Sequence, residues 1–254
     1  MTFKKCIFLV LFSLMSLSVF SQSPIWFTPN KGQWEEPILF KTKLNSGEMI
    51  LEEHGFTYHF HNWGELYHSH HENEDHHETE FKGQVVRTQF LNARSPKSTT
   101  ENESSHFKNF FLGNDSTKWK SKVRDVSGIT YKGLYDGIDM VLYQYSDHLK
   151  YDFLVSKNVD PSQIKISYKG MYNIRIDKDG NLQTNTEFGT IIEQKPVAYQ
   201  IKNGSKTMID INFKLEKDVL SFVLGNYDSQ LDLVIDPELT FSSFTGSTAD
   251  NWGY

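Results

Sequence analysis

Cysteine is almost missing from this chain. The single thiol among 254 residues is Cys6. It lies near the amino end, just ahead of an apolar run, whereas a lipid-bearing cysteine would stand at the end of such a run. Beyond residue 21 there is no disulfide, thiolate metal site or cysteine nucleophile to consider. Helical periodicity is also lacking, since no later segment keeps a 3.6-residue apolar stripe over three turns. Positive charge is in deficit: 26 Lys and Arg stand against 32 Asp and Glu, a net charge of −6. A nucleic-acid binder needs a basic face, so that class is disfavoured. The catalytic signatures are missing too. There is no G-x-S-x-G elbow, no phosphate-binding G-x-x-x-x-G-K-[ST], no G-x-G-x-x-G and no H-E-x-x-H.

What is present begins with "MTFKKCIFLVLFSLMSLSVFSQS". A basic start at Lys4 and Lys5, an apolar run from Ile7 to Leu17 and small residues up to Ser21 form the three-part pattern of a secretory signal. The run is short for a membrane span of about 20 residues. Residues 1–21 are therefore expected to be cleaved. That leaves 233 residues with a net charge of −8, destined for the periplasm, the cell surface or the medium.

The rest has a period of two. "IDMVLYQY" puts Ile138, Met140 and Leu142 on one face, and "LKYDFLVS" does the same with Leu149, Tyr151, Phe153 and Val155. Ser146-Asp147-His148 between them predicts a hairpin. Ile164, Ile166 and Tyr168, then Tyr172, Ile174 and Ile176, repeat the alternation across Gly170. "MIDINFK" (Ile209, Ile211, Phe213), "LSFVLG" and "LDLVID" continue it. Earlier, "PILFKTKL", "MILEEHGFTYHF" and "QVVRTQFL" read as strands, with a turn at Glu53-His54-Gly55. Only "VDPSQI" suggests a helical turn, with Asp160 as cap and Pro161 in first position. The expectation is an all-β fold of antiparallel sheets, a sandwich or barrel-like. If the β-rich module 22–238 divides, it does so near residues 115–130, where "NDSTKWKSKVRDVSG" loses the alternation.

Two polar stretches, residues 65–82 and 92–105, read as surface loops. The first holds His68, His70, His71, His76 and His77 among Glu72, Glu74 and Asp75. Imidazoles flanked by carboxylates suit zinc or another divalent transition metal. The same composition also describes a solvated insertion with adventitious metal affinity.

Other constellations read as structural. "DKDGN" has Gly180 in the fourth place rather than the sixth of a calcium loop, so it predicts a turn. Asp136, Asp139 and Asp152 are the acids a carbohydrate-active enzyme would draw on, but no spacing places any two across a cleft. Trp26, Trp34, Trp63, Trp119 and Trp252 stand beside polar residues or glycine. They suit either sugar stacking or small cores under loops.

Taken together, "WFTPNKGQWEEPILFKTKLNSGEMILEEHGFTYHF", the block from Phe111 to Tyr199, and "IRIDKDGNLQTNTEFGTIIEQKPVAYQ" resemble the N-terminal β-rich domain found ahead of SBBP-type β-propeller repeats in large exported bacterial proteins. The ending "LTFSSFTGSTADNWGY" is similar to the start of one such repeat, which makes residues 239–254 a repeat fragment and "LTFSSF" an untethered strand. The resemblance implies an entry domain with no established catalytic residues. The expected function is a non-enzymatic structural or adhesive module that contacts a cell-surface protein or glycan. The alternatives are a metal-binding module through residues 68–77 and a carbohydrate-binding or carbohydrate-active protein.

Overall fold

Alternating burial runs through many of the strands. A computed structural model describes residues 25–44, 47–61, 82–145, 148–237 and 239–241. The first strands are β1 (Thr28–Pro29), β2 (Ile38–Leu44), β3 (Gly47–Glu52), β4 (Gly55–His61), β5 (Gly83–Phe90) and β6 (Lys97–Phe110). A 3-10 turn at Ser116–Lys118 precedes β7 (Lys120–Tyr135), β8 (Ile138–Tyr145) and β9 (His148–Val155). A second 3-10 turn, Pro161–Gln163, is capped by the Asp160 carboxylate as the sequence predicts. Then come β10 (Ile166–Lys169), β11 (Tyr172–Ile176), β12 (Leu182–Thr186), β13 (Gly189–Glu193), β14 (Val197–Lys202) and β15 (Ser205–Ile209). The last are β16 (Ile211–Glu216), β17 (Val219–Leu224), β18 (Leu233–Asp236) and β19 (Leu239–Phe241).

These strands form three antiparallel sheets. An eight-stranded sheet runs β1-β2-β3-β4-β5-β10-β17-β16, and a seven-stranded sheet runs β15-β14-β18-β9-β8-β7-β6. The two face each other across one core, as a sandwich requires. Phe153 of β9 meets Phe90 of β5 at 6.0 Å and Phe222 of β17 at 6.1 Å, edge to face. The Tyr131 hydroxyl of β7 crosses to donate to the Glu52 carbonyl at 3.1 Å. The third sheet, β11-β12-β13-β19, is a cap at one side of the sandwich. Its Leu182 and Ile191 belong to the same buried cluster as the two large sheets.

The predicted alternations at Ile138, Met140 and Leu142 and at Leu149, Tyr151, Phe153 and Val155 are the buried faces of β8 and β9. Three expectations need correction. Residues 97–105 are not a loop but part of β6, a 14-residue edge strand. They show no alternation because β6 packs neither face on the core and is almost wholly exposed. "MIDINFK" is not one strand. It breaks at Asp210, with β15 on the edge of one large sheet and β16 on the edge of the other. Ile209, Ile211 and Phe213 all stay buried through this change. The chain segment Leu239–Phe241 is not untethered either, since β19 pairs with β13 in the register Ile191↔Phe241. Residues 115–130 hold the first 3-10 turn and the beginning of β7.

Candidate functional site

One end of the sandwich is built from two rigid connections. The first is the β1–β2 loop, "NKGQWEEP". Asn30 organises it: its amide donates to the carbonyls of Trp34 at 2.9 Å and Ile38 at 2.8 Å. Its side-chain oxygen accepts from the amides of Gly32 at 2.9 Å and Trp34 at 3.2 Å. Buried Gln33 adds a bond to the Pro29 carbonyl at 2.8 Å and accepts from Lys31 N at 2.7 Å. The loop therefore satisfies its backbone groups internally, and Asn30 and Gln33 do by side chain what a sheet would do by pairing.

The second connection is the tip of the long β6–β7 hairpin, "FFLGNDSTKW". Asp115 caps its 3-10 turn, accepting from Thr117 N at 3.0 Å and Thr117 Oγ1 at 2.6 Å. These bonds hold the Asp115 carboxyl below its ordinary value. The tip is tied to the first loop by Lys118 and Glu35 at 3.2 Å. Lys108 pairs with Asp125 across the hairpin at 2.7 Å and anchors it to β1 by donating to Thr28 Oγ1 at 2.9 Å.

Aromatic side chains decorate both sides of this end. Trp34 packs edge-on against Phe110 at 5.5 Å, with the Lys41 ammonium 5.1 Å from its ring. Phe111 and Trp119 meet edge to face at 5.8 Å, and the Trp119 indole N–H donates to the Gly113 carbonyl at 3.2 Å. Phe111 and Leu112 are each 60% exposed and Trp119 is 44% exposed. Apolar groups this large are rarely left in water on a rigid hairpin tip without a use.

The residues singled out from sequence are dispersed. Asp136 lies in the β7–β8 turn, paired with Arg94 at 3.0 Å. Asp139 is held by Lys132 at 2.8 Å and by the Gly133 amide at 2.8 Å. Asp152 faces outward on β9, accepts from the Tyr143 hydroxyl at 3.0 Å and neighbours Asp236. Burial and the Asp236 charge push its carboxyl up to about 6, against the pull of Tyr143 and Lys150. Each acid thus serves a local contact. Asp177 of "DKDGN" organises the β11–β12 turn: its carboxylate accepts from Asp179 N, Asn181 N and the Gln183 amide, and Gly180 has φ +88°. His68, His70, His71, His76 and His77 lie outside the described residues, as do Trp63 and Trp252. Among the described residues, no group of three or more His, Cys, Asp or Glu is placed to hold a metal. No helix among them is long and apolar enough to cross a membrane.

Sequence reasoning marked Trp34 and Trp119 but missed Phe111 and Leu112. The signal was there in Phe110-Phe111-Leu112, because three consecutive apolar residues leading into a polar Gly-Asn-Asp-Ser turn cannot all face the core. A buried acid, Glu193, was also missed, since nothing in "TIIEQKP" separates it from a surface glutamate.

Residues 27–238 match the model of a family described as a domain of unknown function, DUF7948. No curated protein matches the chain. No solved structure matches it.

Proposed function

The chain belongs to the DUF7948 family of domains of unknown function, and from that starting point we propose that it is a non-enzymatic contact module of an exported protein. The observation that carries this reading is the exposed Phe111–Leu112–Trp119 group on a braced hairpin tip. Aromatic anchors on rigid loops supply most of the energy of protein interfaces. The partner is a protein rather than a glycan. Phe111 and Trp119 stand at 81° to each other, so they make no flat platform for a sugar ring, and Leu112 offers only aliphatic surface. The separate, locally engaged positions of Asp136, Asp139 and Asp152 support a non-enzymatic role.

The apolar run from Ile7 to Leu17 supports export, and the ending similar to a propeller repeat supports a place at the entry of a propeller-bearing surface protein. The test is binding of labelled residues 22–254 to intact cells, beside the double variant F111S/W119S. We expect saturable, protease-sensitive binding by the native chain and at least about tenfold weaker binding by the variant, as hot-spot losses imply. Both proteins should melt at the same temperature. Equal binding by the two would overturn the proposal, and binding lost only on glycan removal would move the partner class to glycan.

A further inference from the structure

Under the cap, where β13 faces β4, β9 and β10, the sandwich holds a carboxylate in an unusual setting. Glu193 is 3% exposed. Its two oxygens accept from the hydroxyls of Tyr151 and Tyr168, the latter at 3.0 Å. Among the described residues, no lysine or arginine pairs with it. Buried acids normally have a cation, a metal or several backbone donors to offset the loss of water. Here two phenols do that work, and a partly enclosed cavity of about 20 Å³ lies against the carboxylate. Phe56, Tyr58, Tyr151 and Tyr168 supply aromatic walls, and half-buried Met171 stands among them.

We propose that this cavity is a binding site for a small ammonium group, such as ammonium itself or the head of a short primary amine. Three features select that chemistry. The acid supplies a full negative charge when ionised. The lining is rich in aromatic side chains, which attract a cation wherever it meets a ring face. The volume admits a group about the size of one water, so bulky quaternary ammonium ions do not fit. A divalent metal is a poor alternative, since a single carboxylate and phenol oxygens fall short of its usual ligand number. Burial raises the Glu193 carboxyl above its ordinary value, and an arriving cation would draw it back toward the ionised form. The tyrosine hydroxyls remain as donors throughout, so the site needs no rearrangement of its first contacts. This site is separate from the hairpin tip and does not depend on the contact function.

The test is a thermal-shift titration of residues 22–254 with methylammonium chloride, beside sodium chloride at equal ionic strength and tetramethylammonium chloride as the oversized probe. Stabilisation should follow RT ln(1 + [L]/Kd). We expect the melting temperature to rise with methylammonium alone, and the rise to vanish in E193Q, which keeps the shape and one acceptor oxygen but not the charge. If E193Q does not fold, M171W fills the cavity while leaving Glu193 in place and should abolish the same response. A shift of equal size with sodium or tetramethylammonium would overturn the proposal. So would no shift at all in the native chain, or an unchanged shift in both variants.

Discussion

Phe153 shows how a single side chain holds two sheets together. It touches Phe90 and Phe222 across the core and Tyr151 along its own strand. Phe153→Ala should cost about 3–5 kcal/mol by urea denaturation, because the site cannot collapse without moving both sheets. Val85→Ala, at an exposed position of β5, should cost less than about 0.5 kcal/mol. Asp152 makes a different kind of prediction. Its carboxyl rises from 3.8 to about 6 on folding, with Asp236, Lys150, Tyr143 and Tyr199 around it. A raised carboxyl favours the folded state in its protonated form. That contribution is complete below pH 3.8 and is lost as pH rises through about 6. D152N should therefore flatten the fall in stability across that interval, measured as urea midpoints at successive pH values. An unchanged slope would mean that Asp152 is ordinary in solution.

At the scale of elements, the turns bear most of the constraint. Gly170, between β10 and β11, has φ +79°, and a Cβ there would lie 2.2 Å from the Val85 carbonyl oxygen of β5. G170A should cost at least about 1–3 kcal/mol, since the strain of the left-handed region adds to a clash with backbone. Denaturation of the variant beside the native chain checks this. The alternating strands such as β8 and β9 were legible in the sequence because one face of each is buried and the other is not. β6 was not legible, because an edge strand exposed on both faces carries no pattern to read. The break at Asp210 was hidden for the opposite reason. Ile209 and Ile211 are both buried, so the alternation runs smoothly through a change of sheet. The candidate tip was half legible: its tryptophans were noticed, but their exposure depends on the hairpin's place at the end of the sandwich. Glu193 acquires its character wholly from three strands brought to it from elsewhere in the chain.

The described residues form two large sheets and a cap, and the cap takes its edge strand β19 from well beyond its other three strands. Ending the chain at residue 238 removes β19 and bares the edge of β13. That truncation should lower the melting temperature and increase aggregation on standing, as exposed strand edges do. Improved solubility would instead favour the view of "LTFSSF" as a liability. Removal of residues 68–77 should leave the melting temperature unchanged while eliminating zinc binding in a titration, if the histidines act as a metal-binding segment. Loss of the fold in that variant would assign the segment a structural part.

The pairing of Ile191 with Phe241 also imposes an order in time. A chain made from its amino end completes both large sheets' partners as far as β18 before β19 exists. Such distant pairings are slow to form, because the intervening chain must be gathered first. β13 thus keeps an open edge until Leu239–Phe241 docks, and of the three described sheets the cap is the last to gain its full pairing.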